Sequence, residues 1–209
     1  MLSLDSPLMK QLARECAENH VALISLGAAE LFSLLIDCGR YRRVLEIGTG
    51  LGYSTMCFAQ AVQRWNGTVV TIERLPERLE RARDYFQENG LKNIQSFAGE
   101  AQDVLPHLKG TFDFIFLDAA MGQYRDFFHQ LFPKLTPGGL LIADNVLLEN
   151  LVSRDRYQVP RRRRTMQQRL REFLDLVENH PELTTRMIPF GDGLAVCWRH
   201  PENRSEIHD

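Results

Sequence analysis

Between residues 42 and 145 the chain alternates short apolar runs with longer amphipathic ones. RRVLEIG (42–48), GTVVTIE (67–73), NIQSFAG (93–99), FDFIFLD (112–118) and LLIADN (140–145) read as strands. FDFIFLD is apolar almost throughout, as expected of a strand covered on both faces. Residues 8–38 read as two helices, with Leu8, Leu12 and Cys16 on one face of the first. Further helices are predicted from Ser54 to Trp65, from Pro76 to the stop at Asn89-Gly90, and from Gln123 to Leu135, ended by Pro137-Gly138-Gly139. A last helix runs from Arg161 to His180, with Met166, Leu170, Phe173, Leu174 and Val177 on one stripe. TTRMIPF and LAVCWRH flank Gly191-Asp192-Gly193 and read as a closing hairpin, which makes Asp192 a turn residue.

Alternating strands and helices predict an α/β fold. The expected architecture is a doubly wound, mostly parallel seven-stranded sheet with N-terminal helices and a C-terminal antiparallel hairpin. One domain is expected over residues 1–209: helices over 1–40, a core over 41–200 and a frayed tail over 201–209.

Composition changes this picture little. A chain of 209 residues, 44% hydrophobic and 25% charged, can bury a full core without metals or disulfides. The apolar runs are too short to span a membrane. The opening MLSLDSPLMK has no basic region followed by an apolar one, so no signal peptide is expected. Cys16, Cys38, Cys57 and Cys197 are scattered without a CxxC pair, which fits reduced thiols in the cytoplasm.

Charge is more informative. The net charge of −2 conceals eight arginines and one acid between Arg154 and Arg171. Arg161 to Arg164 would open a helix, where the macrodipole disfavours cations by roughly 0.3–1 kcal/mol each. A phosphate partner accounts for such a placement, because guanidinium binds phosphate bidentately and helix amino ends attract anions. Arg154 and Arg156 extend the run. An acidic surface of a dimer partner is the competing reading. Tyr124 and Tyr157 are candidates for stacking on RNA bases or for simple packing.

Two further clusters carry chemistry. VLEIGTGLGYST (44–55) places Gly48, Gly50 and Gly52 between a strand and a helix, where glycine lets the backbone approach a ligand. Tyr53 breaks the G-x-G-x-x-G dinucleotide fingerprint. Glu73 ends the next strand, where a carboxylate can accept from both hydroxyls of a ribose. The combination predicts a nucleoside-containing cofactor. Asp118 ends one strand, and Asp144 and Asn145 end another. An all-oxygen set selects a hard cation such as Mg²⁺.

With these residues in view, the chain resembles the cation-dependent, S-adenosylmethionine (SAM)-dependent O-methyltransferases of the catechol and caffeoyl-CoA type. LEIGTGLGYS, the acid in VVTIE, GEAQD (99–103), FIFLDAAMGQY (114–124) and LLIADNVLLENLV (140–152) carry the resemblance. It implies Glu46, Gly48, Thr49 and Ser54 at the methionine end of SAM, and Glu73 on the ribose. It also implies Ala101 and Gln102 near the adenine, Asp118 near the methionine moiety, and Ile24 or Ser25 as a further contact. The implied metal, Mg²⁺ or Mn²⁺, sits on Asp118, Asp144 and Asn145. RRRRTM (161–166) and LTTRMIPFGDGLAV (183–196) are most similar to the bacterial enzymes that methylate 5-hydroxyuridine in the tRNA anticodon loop. That similarity implies tRNA phosphates on Arg154, Arg156 and Arg161 to Arg164, and a homodimer. The sequence departs from the family at Met121, where a lysine general base often stands. The alternatives are a small catechol-like or phenylpropanoid acceptor, a non-catalytic RNA-binding protein, and an NAD-dependent oxidoreductase, which Tyr53 disfavours.

Overall fold

A computed structural model describes residues 6–201. Its elements in chain order are α1 (Pro7–Glu18), α2 (Leu26–Gly39), β1 (Arg43–Ile47), α3 (Tyr53–Gln63), β2 (Thr68–Glu73), α4 (Pro76–Glu88), β3 (Ile94–Ala98), α5 (Ala101–Val104), β4 (Phe112–Leu117), α6 (Tyr124–Leu131), β5 (Leu135–Ala143), α7 (Arg164–Glu178), β6 (Leu183–Ile188) and β7 (Leu194–Arg199). The seven strands follow the order β3-β2-β1-β4-β5-β7-β6, mostly parallel with an antiparallel end, as expected. The predicted tail falls mostly on residues 202–209, outside the described residues. No helix among the described residues is long and apolar enough to cross a membrane. The chain divides into two compact units, one ending at Lys109 and the other starting at Gly110.

In the first unit β1, β2 and β3 run parallel, with Val44 opposite Val69 and Ile72 opposite Phe97. Ser6 and Ser25 cap α1 and α2 by accepting the N–H groups of Met9 and Ala28. Each such cap contributes about 1 kcal/mol. α1 is tied to α4 by Arg81, whose Nε and Nη2 donate to the Glu15 carboxylate at 2.6 and 2.8 Å. The buried Tyr85 adds its hydroxyl to the same carboxylate.

In the second unit β4 and β5 are parallel, β5 and β7 antiparallel, and β6 and β7 form the expected hairpin. Aromatic rings join α6 to α7. Phe173 meets Tyr124 edge-on at 5.5 Å between centroids and Phe128 at 6.4 Å. Each fully buried ring of this kind contributes about 1.5–3 kcal/mol.

Two boundaries differ from expectation. β5 begins at Leu135 and passes through Pro137-Gly138-Gly139, and the preceding helix ends at Leu131 with a 3₁₀ turn after it. A side chain at Gly139 would lie 2.8 Å from the Asp113 carbonyl. The glycine marks a close approach of two backbones at a register shift, where proline is also tolerated, rather than a turn. At the other boundary, Arg161–Arg163 form a 3₁₀ turn and α7 starts at Arg164, with no side chain capping it.

Candidate active site

The first unit contains the glycine loop. Gly48, Gly50 and Gly52 all have positive φ, between 56° and 101°, which residues with a side chain rarely adopt. Glu73 bonds this loop directly, and Glu46 bonds the first turn of the helix that follows it. Glu46 is fully buried and accepts from the hydroxyls of Ser54, Thr55 and Thr71. Burial raises its pKa, against which the three hydroxyls act. Thr49 in turn bonds Thr71 at 2.6 Å. Within the chain Glu46 and Ser54 therefore act on each other and fix the strand to the helix. Glu73 is 6% exposed; its Oε2 accepts from the Gly50 N–H at 2.8 Å and its Oε1 from the Leu75 N–H at 3.0 Å. Each carboxylate oxygen keeps a further lone pair for an incoming hydroxyl. Ala101 is buried at the start of α5, Gln102 is exposed beside it, and Ile24 is buried just before α2. A cavity of about 300 Å³ opens beside the loop, lined by Glu15, Asn19, Val21, Leu51, Leu75, Glu77, Arg78 and Arg81. None of the cofactor residues nominated from sequence lines it.

The second unit contains the candidate oxygen donors. β4 and β5 pair Leu117 with Ala143, so Asp118 and Asp144 are the next residues on two neighbouring strands. The Asp144 N–H donates to the Leu117 carbonyl at 3.0 Å. Asn145 has φ 57°, and its N–H donates to Asp144 Oδ1 at 2.7 Å. Burial raises the Asp144 pKa, the Asn145 amide opposes this, and Asp192 adds like-charge repulsion. Among the described residues Asp144 has no ion-pair partner. A partly buried carboxylate without a counter-charge, beside a second carboxylate and an amide, fits a hard divalent cation. No group of three His, Cys, Asp or Glu side chains is placed to hold a metal among the described residues, so the amide of Asn145 is needed to complete the set.

Three residues that shape this site were not nominated. Tyr124 is fully buried; its hydroxyl donates to the Leu117 carbonyl at 3.3 Å and the Asp144 carbonyl at 3.0 Å. Burial and the nearby Asp118 and Asp144 carboxylates raise its pKa well above the usual phenol value. Tyr124 thus buttresses the carboxylate pair and cannot stack on a base, which decides between the two expectations for it in favour of packing. Asp192 is a turn residue, as expected, but it also pins the segment after Asn145. Its carboxylate accepts from Glu149 N–H at 2.6 Å and its carbonyl from Leu147 N–H at 2.8 Å. Buried Gln167 donates to the carbonyls of Leu151 and Arg154. Its place in the polar run TMQQ gave no sign of burial.

The arginine run divides by partner. Arg163 pairs with Glu149 at 2.8 Å, Arg164 donates to the Val159 and Tyr157 carbonyls, and Arg156 donates to Gln168. The side chains of Arg154, Arg161 and Arg162 are exposed, without a hydrogen bond or ion pair to the described residues. Met121 opens the short turn before α6 and is partly buried.

An α/β sheet with a glycine-rich first turn and a buried carboxylate ending the second strand defines a protein that holds a nucleoside-type cofactor at its strand ends. The sequence matches the O-methyltransferase family over residues 2–200, and the chain belongs to that family. It is 34% identical over 134 residues to a catechol O-methyltransferase of Niastella koreensis, a match spanning 62% of this chain and 60% of that one. It is 27% identical to a caffeoyl-CoA O-methyltransferase of Populus kitakamiensis over 84% of this chain and 77% of the relative. Among solved structures, the O-methyltransferase TomG of Streptomyces achromogenes in complex with SAM superposes with a TM-score of 0.84 at 26% identity, covering 96% of this chain and 92% of that one. The family and the fold read from the sequence hold, and the oxidoreductase alternative falls.

Proposed function

We propose that the chain transfers the methyl group of SAM to the 5-hydroxyl of 5-hydroxyuridine in a tRNA anticodon loop, with Mg²⁺ or Mn²⁺ on Asp118, Asp144 and Asn145. The observation that carries the acceptor is the set of exposed, unneutralised guanidiniums at Arg154, Arg161 and Arg162, in the unit that bears the carboxylates. Nothing in a small neutral phenol calls for them.

Each part of the chain has a separable task in this reading. Glu73 would accept from the ribose hydroxyls while keeping its bonds to the loop amides. Gly48 and Thr49 would lie against the methionine end, with Glu46 and Ser54 fixing the loop beneath them. Ala101 and Gln102 would flank the adenine, and Ile24 would add an apolar contact. The cation, when bound, supplies Lewis acidity that lowers the pKa of the acceptor hydroxyl. Two vicinal oxygens suit the donor set, and 5-hydroxyuracil has them in O5 and O4. Its hydroxyl is enol-like, which lets Met121 stand where a lysine base often does. Asp144, oriented by the Asn145 amide and supported through Tyr124, orients the acceptor for in-line transfer.

A second reading keeps the chemistry and takes a catechol-like or phenylpropanoid acceptor; the names of the relatives favour it. The two are separated by kcat/KM on tRNA bearing 5-hydroxyuridine and on free catechol under one set of conditions. The tRNA reading expects a large preference for the nucleic acid that shrinks with added salt. A preference for catechol, unaffected by salt, replaces it with the second reading. The proposal also has the chain act in the cytoplasm as a homodimer. The four cysteines are all free thiols, which suits a reducing compartment.

A further inference from the structure

The most exposed large hydrophobic side chain among the described residues is Tyr157, at 84%. Its backbone is tied into a short turn. The Asp155 carboxylate accepts the Tyr157 N–H at 2.8 Å, closing the 3₁₀ turn over residues 156–158. Arg164 reaches back from the start of α7 and donates to the Val159 carbonyl at 3.0 Å and the Tyr157 carbonyl at 3.4 Å. Its guanidinium carbon lies 5.8 Å from the centroid of the Tyr157 ring. Arg154, Arg161 and Arg162 stand nearby in the chain with no anionic partner of their own. The one adjacent acid, Asp155, is committed to the turn.

We propose that Tyr157 is a stacking platform for an unpaired base of looped RNA, with Arg154, Arg161 and Arg162 on the flanking phosphates. This rests on the tRNA reading and deepens it. Cations alone would suit any polyanion. An aromatic ring left open to solvent among them adds a partner for the free π-face that unpaired bases offer and regular duplexes withhold.

The test is equilibrium binding of a short RNA hairpin carrying 2-aminopurine in its loop, against a fully paired RNA of equal length. The wild-type protein is expected to bind the hairpin more tightly and to change the probe's fluorescence. Tyr157→Ala should weaken hairpin binding roughly five- to a hundredfold, the loss of one base–aromatic stack, and abolish the fluorescence change. Tyr157→Trp should retain both. Replacing Arg161 and Arg162 with glutamine should lower the salt slope by about one to two. With a side chain so exposed, thermal unfolding of Tyr157→Ala should match the wild type. Equal binding of hairpin and duplex, or unchanged binding by Tyr157→Ala, overturns the platform. If the hairpin behaves as expected but tRNA bearing 5-hydroxyuridine gains no methyl group, the RNA site stands and the acceptor falls. If that tRNA is methylated while Tyr157→Ala leaves KM untouched, the acceptor stands and the platform falls.

Discussion

The backbone N–H of Asp144 donates to the carbonyl of Leu117, one residue past the last paired position of β4 and β5. Two neighbouring strand ends thereby deliver Asp118 and Asp144 side by side, and Asn145 turns back onto Asp144. Asp144→Asn removes the charge while keeping the shape. In the metal-free protein it should leave the melting temperature unchanged or raise it, because it relieves a partly buried charge without a counter-ion. Mn²⁺ binding followed by electron paramagnetic resonance should weaken sharply, and methyl transfer should fall by about a hundredfold or more. Full Mn²⁺ binding by Asp144→Asn contradicts the donor assignment.

Met121 opens the short turn before α6, at the position where the family resemblance implies a lysine general base. If the acceptor hydroxyl is acidic enough without one, Met121→Lys should gain little at neutral pH. The gain should fall well short of the roughly 10²–10⁴-fold that a positioned general base supplies. A gain of that size, seen in kcat on the hydroxylated tRNA, contradicts the enol argument.

Arg81 and the Tyr85 hydroxyl hold the Glu15 carboxyl down to about 2, from an ordinary value of 4.5. A carboxyl depressed in the folded state stabilises the fold fully above its unfolded value, and that contribution fades as pH falls from 4.5 towards 2. Glu15→Gln should therefore melt below the wild type at neutral pH, and the gap should narrow through this window. A gap that is constant from pH 7 to pH 3 contradicts the linkage.

Gly193 has φ 85°, and a methyl group there would meet Leu147 Cγ at 2.2 Å. Its carbonyl accepts from the Val146 N–H, directly after Asn145. Gly193→Ala should cost roughly 1 kcal/mol or more in denaturant unfolding. It should also weaken Mn²⁺ binding through displacement of the Asn145 segment. Unaltered metal affinity would show that the hairpin turn does not position the donors.

Much of this was legible in the sequence, for identifiable reasons. The strand ends at Glu73, Asp118 and Asp144 follow continuous apolar runs, so the carboxylates could be placed before the structure was known. Pro76 and Asn89-Gly90 marked α4 because proline opens helices and glycine closes them. Pro137-Gly138-Gly139 misled, because the same residues that build a turn also permit a bulge with close backbone approach. Tyr124 stayed open between stacking and packing because periodicity cannot distinguish a buried ring bonding a carbonyl from an exposed one. The sorting of the arginines was also hidden. Arg163 finds Glu149 and Arg164 finds the Val159 carbonyl only once the chain has turned.

Metal-dependent methyl transfer to the hydroxyl of 5-hydroxyuridine is the reaction proposed for this chain. Nucleoside mass spectrometry after incubation of the protein with SAM and tRNA bearing that nucleoside tests it most directly, run with Mg²⁺ and with EDTA. The expected result is 5-methoxyuridine with Mg²⁺, none with EDTA, and little with Asp144→Asn in either condition. An unmodified tRNA in the presence of Mg²⁺, or a product that persists in EDTA, contradicts it.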